Sequence, residues 1–379
     1  MRAMGSSRYR RGGLECATFD GIPWLRSARH EVRVTVAPTL STRIRSTLPV
    51  ARRPARQAVA VESPSCWATE QRPAMKVLLV GGNGFIGSHV QDLLLRSGHA
   101  VRVLDAMPER YRPALPDVDY RVGSSADSPA LSESLVGIDS VVYLASTTVP
   151  STSNADVRWD IESNLIPLVA TLDGMKRTGV EHIVFLSSGG TVYGVTDDGP
   201  VQETAPLDPI CSYGVVKVAS EKYLGMYSHL YGLRPLVLRP SNPFGPRQGH
   251  EGVQGFISTS LMKLRRGEPI EIWGDGSVVR DYVYVQDLAQ AAVLGIETSA
   301  IGAVNIGSGV GRSLTQVIAT LSAVTGTTAR VEHHLGRAFD VPHLVLSIEH
   351  AREALGWSPT TPFEEGIASH WQWFSGVHD

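Results

Sequence analysis

A run of glycines carries the first chemistry in this chain. Apolar residues 77–80 lead into Gly81-Gly82-Asn83-Gly84-Phe85-Ile86-Gly87, and a helix-like pattern follows through Val90, Leu93, Leu94 and Leu95. Glycines suit a tight turn in which a bound pyrophosphate leaves no room for a Cβ, and the helix start supplies N–H groups and positive dipole. The next strand-like run, 101–104, ends in Asp105, where a dinucleotide site needs an acid for the adenosine ribose. A glycine-rich string alone also describes an ordinary turn; the strand, helix and acid around it favour the dinucleotide.

Tyr213 and Lys217 supply a second chemistry. They stand four residues apart near the start of a predicted helix, which puts both on one face. A phenol with a pKa of about 10 is a poor base at neutral pH. A neighbouring ammonium and an oxidised nicotinamide favour its phenolate and lower that value. The pair can exchange a proton with a substrate hydroxyl while hydride moves to or from the nicotinamide. The same spacing fits a half-buried tyrosine beside a solvated lysine, so its meaning depends on the elements around it.

Those elements alternate at α/β spacing. Strand-like runs fall at 76–80, 101–104, 120–122, 140–144, 182–187 and 233–239, with helical patterns at 88–97, 130–135, 160–178 and 215–231. Short, all-apolar strands suit a parallel sheet covered on both faces. The expected fold class is α/β, a doubly wound parallel-sheet Rossmann fold over residues 75–242. A smaller C-terminal substrate-binding lobe, mainly 243–379 and interleaved with the first, begins where Gly- and Pro-rich loops loosen the rhythm.

Bulk composition narrows the function. The chain has 379 residues, 42% of them hydrophobic, enough for a large core. No apolar run approaches the roughly 18 residues of a membrane span. Cys16, Cys66 and Cys211 make neither metal spacing nor a disulfide framework, so a reducing, cytoplasmic location is expected and no metal. Residues 1–74 hold 13 Arg and 5 acids, leaving 22 basic and 32 acidic residues in the body. An acidic body argues against nucleic acid as partner. For residues 1–74 the expectation is a disordered, Arg-rich extension before a working protein that starts at Met75; a targeting peptide or a basic arm are the alternatives.

Over residues 75–379 the chain resembles the extended short-chain dehydrogenase/reductases, within them the NAD-dependent epimerase/dehydratase family and most of all its UDP-glucose 4-epimerase group. The likeness rests on the glycine loop with Asp105, Ser187-Ser188-Gly189-Gly190-Thr191-Val192-Tyr193-Gly194, and Tyr213-x-x-x-Lys217. It continues in Leu238-Arg239-Pro240-Ser241-Asn242-Pro243-Phe244-Gly245-Pro246, residues 273–282, and Leu355-Gly356-Trp357. The resemblance implies NAD as cofactor, held by Gly81, Gly84, Phe85, Ile86, Gly87, Asp105, Ser124, Leu144, Ala145, Ser146 and Asn164 together with Tyr213 and Lys217. It implies a nucleotide sugar, UDP-linked, touched by Thr191, Asn242, Arg280 and Arg337, the two arginines clamping its diphosphate. It implies a homodimer through the helices at 160–178 and 215–231.

Two departures from the family pattern stand out. Ser124 replaces the usual adenine-side Asp, and Gly189 occupies the position of the catalytic Ser/Thr. Ser188 or Thr191 could supply that hydroxyl; Thr191 is preferred because it also falls at a substrate-contact position. The implied reaction is C4 epimerisation through a 4-keto sugar. A net ketoreductase, or a dinucleotide sensor without chemistry, stay open as alternatives. The related 4,6-dehydratases need an Asp-Glu pair where Gly190 and Thr191 stand.

Overall fold

The structure, a computed structural model, describes residues 73–196, 199–249, 255–336 and 341–377. The expectations for residues 1–72 lie outside the described residues.

Alternation of apolar side chains along short strands builds the larger layer. In strand β1 (Lys76–Val80), Val77 and Leu79 point to one face of the sheet and Leu78 and Val80 to the other; all four are buried. Helix α1 (Phe85–Arg96) returns the chain to β2 (Ala100–Asp105) and β3 (Val118–Val122). Helix α2 (Ser128–Leu135) leads to β4 (Ser140–Tyr143). A short α3 (Val157–Asp160), one π-helical turn (Ile161–Leu165) and α4 (Ile166–Thr178) then lead to β5 (His182–Leu186). The two-residue strand β6 (Pro200–Val201) and the 20-residue α5 (Ser212–Tyr231) precede β7 (Arg234–Pro240). Six expected strands of the parallel layer are present, each within about two residues of the boundary read from sequence.

The chain then leaves this layer and comes back. After β8 (Asn242–Phe244), α6 (Phe256–Arg266), β9 (Ile270–Trp273) and β10 (Val279–Tyr284), helix α7 (Val285–Thr298) packs beside α1, and β11 (Gly302–Ile306) joins the edge of the first sheet. The sheet order is β11-β7-β5-β4-β1-β2-β3, every pair parallel. The seventh strand was not among the sequence expectations; it starts on Gly302 and is only five residues long. Burying a Leu or Val side chain contributes roughly 1.5–3 kcal/mol. Both faces of the sheet do so, under α1 and α7 on one side and α2, α4 and α5 on the other.

The smaller lobe is a mixed sheet with a separate core. β12 (Gly311–Ser313) runs antiparallel to β10, while β14 (His343–Leu346) and β8 run parallel to it; β6 pairs with β14. α8 (Leu314–Thr325) starts on a capping box, Ser313 and Gln316 each satisfying the other's backbone N–H. β13 (Val331–His334) pairs with β9. Phe244, Ile257, Leu261, Tyr282, Val317, Leu321 and Ile367 fill the core, the last from α10 (Phe363–Val377). Between these, α9 (Glu349–Leu355) returns to the first lobe, where Trp357 is 1% exposed and donates Nε1–H to the Asp287 carbonyl at 2.9 Å.

Candidate active site

The ends of β1, β2 and β4 meet in one cleft of about 310 Å³. Gly81 sits there at φ +82°, and a Cβ on it would come within 2.6 Å of the Ala145 backbone nitrogen. A side chain at 81 is therefore excluded on two counts. At Gly87 a Cβ would stand 2.5 Å from the Gly82 carbonyl oxygen, so that glycine lets α1 pack against its own loop. Helix α1 starts at Gly84 with no side-chain cap and no acid in its first turn, leaving its N–H groups to an anion. Asp105 accepts N–H bonds from Asn83 and Met107, both at 2.9 Å, which tie the glycine loop to the end of β2. Each carboxylate oxygen keeps a lone pair for a ribose hydroxyl.

Gly84, Ser124, Leu144, Ala145 and Ser146 line the same cleft, as expected from sequence, joined by Asn83, Arg110 and Thr147, which were not anticipated. The one available signal was Asn83's place between two glycines. Phe85 and Ile86 line a different cavity, on the substrate-lobe side. Asn164 is buried and its amide is already engaged: Oδ1 accepts the Thr147 N–H at 2.9 Å, and Nδ2 donates to Thr148 Oγ1 and Asp160. It shapes the cleft wall from behind.

Tyr213, in the first turn of α5, faces the Ser146 hydroxyl at the cleft and the Ser188 hydroxyl just after β5. Burial pushes its phenol up to about 12, the two serine hydroxyls pulling the other way. The Lys217 ammonium donates to the Leu186 carbonyl at 2.9 Å and lies 5.5 Å from the centre of the tyrosine ring, over its face. Burial brings Lys217 down to about 8, opposed by the charges of Glu221 and Asp160.

Gly189 has a structural reason. A Cβ there would meet Leu346 Cδ1 at 2.6 Å and the Arg239 carbonyl oxygen at 2.8 Å, so the strand end cannot carry a hydroxyl at this position without moving backbone. The neighbouring Ser188 hydroxyl faces the Tyr213 phenol. Thr191 Oγ1 is buried without a hydrogen-bond partner. A Cβ built on Gly190 would lie 3.8 Å from Asn242 Oδ1 and 3.9 Å from Ser188 Oγ, so this loop joins the tyrosine to the second lobe.

There a cavity of about 320 Å³ is lined by Asn242, Arg280, Gln248, Glu271 and Trp273 as well as Phe85 and Ile86. Asn242 is held by its Nδ2–H to the Asp281 carbonyl, 3.0 Å, and Arg280 is half-buried. Arg337 lies outside the described residues, as do residues 250–254.

The whole body of the chain has relatives. The NAD dependent epimerase/dehydratase family profile matches residues 77–307. UDP-glucose 4-epimerase of Mycolicibacterium smegmatis is 32% identical over 308 residues, 79% of this chain and 98% of that protein. The crystal structure of Thermotoga maritima UDP-glucose 4-epimerase with UDP-glucose superimposes with a TM-score of 0.77 at 33% identity, covering 80% of this chain and all of that one. The Thermus thermophilus UDP-glucose 4-epimerase complex with NAD gives 0.75 at 33% identity, with the same coverage. The chain belongs to the NAD-dependent epimerase/dehydratase family. NAD is its cofactor, and the glycine cradle, the uncapped helix start and Asp105 fit it. Among the described residues no helix is long and apolar enough to cross a membrane.

Proposed function

We propose that this protein epimerises a nucleotide-linked sugar, UDP-linked, at C4 through a transient 4-keto sugar. The observation that carries this reading is a phenol, Tyr213, set between the Ser146 hydroxyl of the cofactor cleft and the Ser188 hydroxyl of the loop beside Asn242, with the Lys217 ammonium over its ring. Bound NAD⁺ supplies reversible hydride acceptance, and its positive ring favours the phenolate that burial alone disfavours. Tyr213 takes the proton from the C4 hydroxyl. Ser188 donates a hydrogen bond to the oxygen that becomes the carbonyl, with Thr191 the alternative donor. Lys217, fixed by the Leu186 carbonyl, holds positive charge under the ring. Asn242 and Arg280 bind the nucleotide and diphosphate, the latter with a fork of donors suited to phosphate oxygens; Arg337 is proposed to join it. The keto sugar turns over, is reduced on its opposite face, and Tyr213 returns the proton.

We further place the protein in the cytoplasm and read it as a homodimer. Trp159, Ile161 and Ile166 before and within α4, and Val215, Met226 and Leu230 on the adjacent α5, are exposed apolar residues that a second copy would cover. The test of function is direct. Purified protein mixed with UDP-galactose and no added cofactor should give transient near-ultraviolet absorbance of reduced nicotinamide and a product of equal mass. Steady net consumption of added NADH would instead mark a reductase, and silence across a panel of nucleotide sugars would refute both.

A further inference from the structure

We infer that Asp160, a buried carboxylate outside the motifs, is a positioning residue of the proton-transfer site: through Ser212 it fixes the start of α5, and its negative charge acts on the Tyr213–Lys217 pair. The inference rests on the epimerase reading and adds a residue to it.

Asp160 is 0% exposed and stands where three walls of the site meet. Its Oδ1 accepts from Thr148 Oγ1 at 2.5 Å and from Asn164 Nδ2 at 2.9 Å; its Oδ2 accepts from Ser212 Oγ at 2.6 Å. Thr148 belongs to the loop after β4, and Asn164 to the π-helical turn that begins immediately after Asp160. Ser212 is the residue before Tyr213. All three partners donate, the arrangement of an ionised carboxylate, and all three are neutral. A π-helical turn next to a buried charge is a local irregularity of the kind that concentrates at functional sites.

The groups facing this charge are few. Tyr213, Lys217 and Cys211 on the α5 side all lie within reach of its field. Lys217 also faces Glu221, one turn further along α5, but Glu221 is already paired with Arg239 at 2.6 Å. Glu221 is thus compensated by a guanidinium, whereas the three groups that hydrogen-bond Asp160 are neutral. A negative charge here disfavours the phenolate and favours the ammonium, so it raises both Tyr213 and Lys217. For Lys217 that opposes desolvation, in the same direction as the larger effect of Glu221.

The experiment is the pH dependence of kcat/KM for UDP-galactose in the full-length protein. Its two limbs report the coupled ionisations of the Tyr213–Lys217 pair. In Asp160→Asn both limbs should move to lower pH, by about one unit, the scale of one nearby charge. Ser212→Ala removes a hydrogen bond but no charge; it should lower kcat and leave the limbs in place. Limbs unmoved in Asp160→Asn, or moved equally in Ser212→Ala, would overturn the inference. If Asp160→Asn does not fold, Asp160→Ser carries the same expectation, and failure of both to fold would make the residue purely structural and sink the proposal. Absence of any wild-type conversion would instead strike the epimerase reading.

Discussion

The cofactor cleft and the proposed substrate cavity differ in how their lining groups are placed. In the cleft, recognition is mostly backbone: a loop of seven residues, a helix start, and one carboxylate that ties loop to strand. All of it comes from about 30 consecutive residues of a βαβ unit. The proposed substrate cavity draws on Asn242 and Arg280 from β8 and β10 of the mixed sheet, Glu271 and Trp273 from β9 of the separate two-stranded sheet, and Phe85 from α1. Strand β6 of the mixed sheet pairs with β14 some 145 residues later in the chain. Backbone recognition tolerates almost no change in side-chain volume at its glycines, whereas side-chain recognition can be retuned residue by residue.

The contrast can be broken by substitution. Gly81→Val should have the largest effect: a β-branched residue at φ +82° against the Ala145 backbone should abolish retained NAD, read as loss of nicotinamide absorbance and release on denaturation. Arg239→Met should come next. It strips the partner from Glu221, whose side chain is 7% exposed, and should destabilise by about 3–5 kcal/mol in denaturant melts, because an uncompensated buried charge remains. Arg280→Ala should raise KM for the nucleotide sugar by about tenfold to a hundredfold, the loss of one charge-assisted contact, while NAD stays bound. That result would separate the two regions. An equal loss of NAD would merge them.

Smaller and more general is the effect of pH on stability. Burial brings His89 down to about 4 and His370 to about 3 from an ordinary 6.5. Both are neutral in the fold, so the unfolded chain binds more protons below 6.5. Stability from these two is fully present above about pH 6.5 and falls as the pH drops toward 4. His370→Gln should flatten that part of the stability–pH curve, measured by thermal melts between pH 4 and 7.

The same contrast governs what the sequence disclosed. The glycine loop, Asp105 and the Tyr213–Lys217 pair were legible because each is local: a strand end, a helix start, or one helix face. So were six parallel strands, since alternating burial writes itself into short apolar runs. Strand β11 was not, because five residues beginning with glycine gain strand character only from pairing with β7, about 66 positions back. Asp160 was hidden for a related reason. In the run Asp156-Val157-Arg158-Trp159-Asp160-Ile161-Glu162 it reads as one more charge on a solvated helix, and only the fold brings Thr148 and Ser212 to it. Gly189 was legible as an anomaly, while its cause, the Arg239 carbonyl and Leu346, sits on other strands.

The claim on which the rest depends is that Tyr213 carries the proton. Conversion of UDP-galactose by Tyr213→Phe, in protein shown to retain NAD and its thermal stability, tests it most directly. The account predicts that turnover falls by at least about a hundredfold while cofactor content is unchanged. A phenylalanine variant that epimerises at the wild-type rate would contradict it.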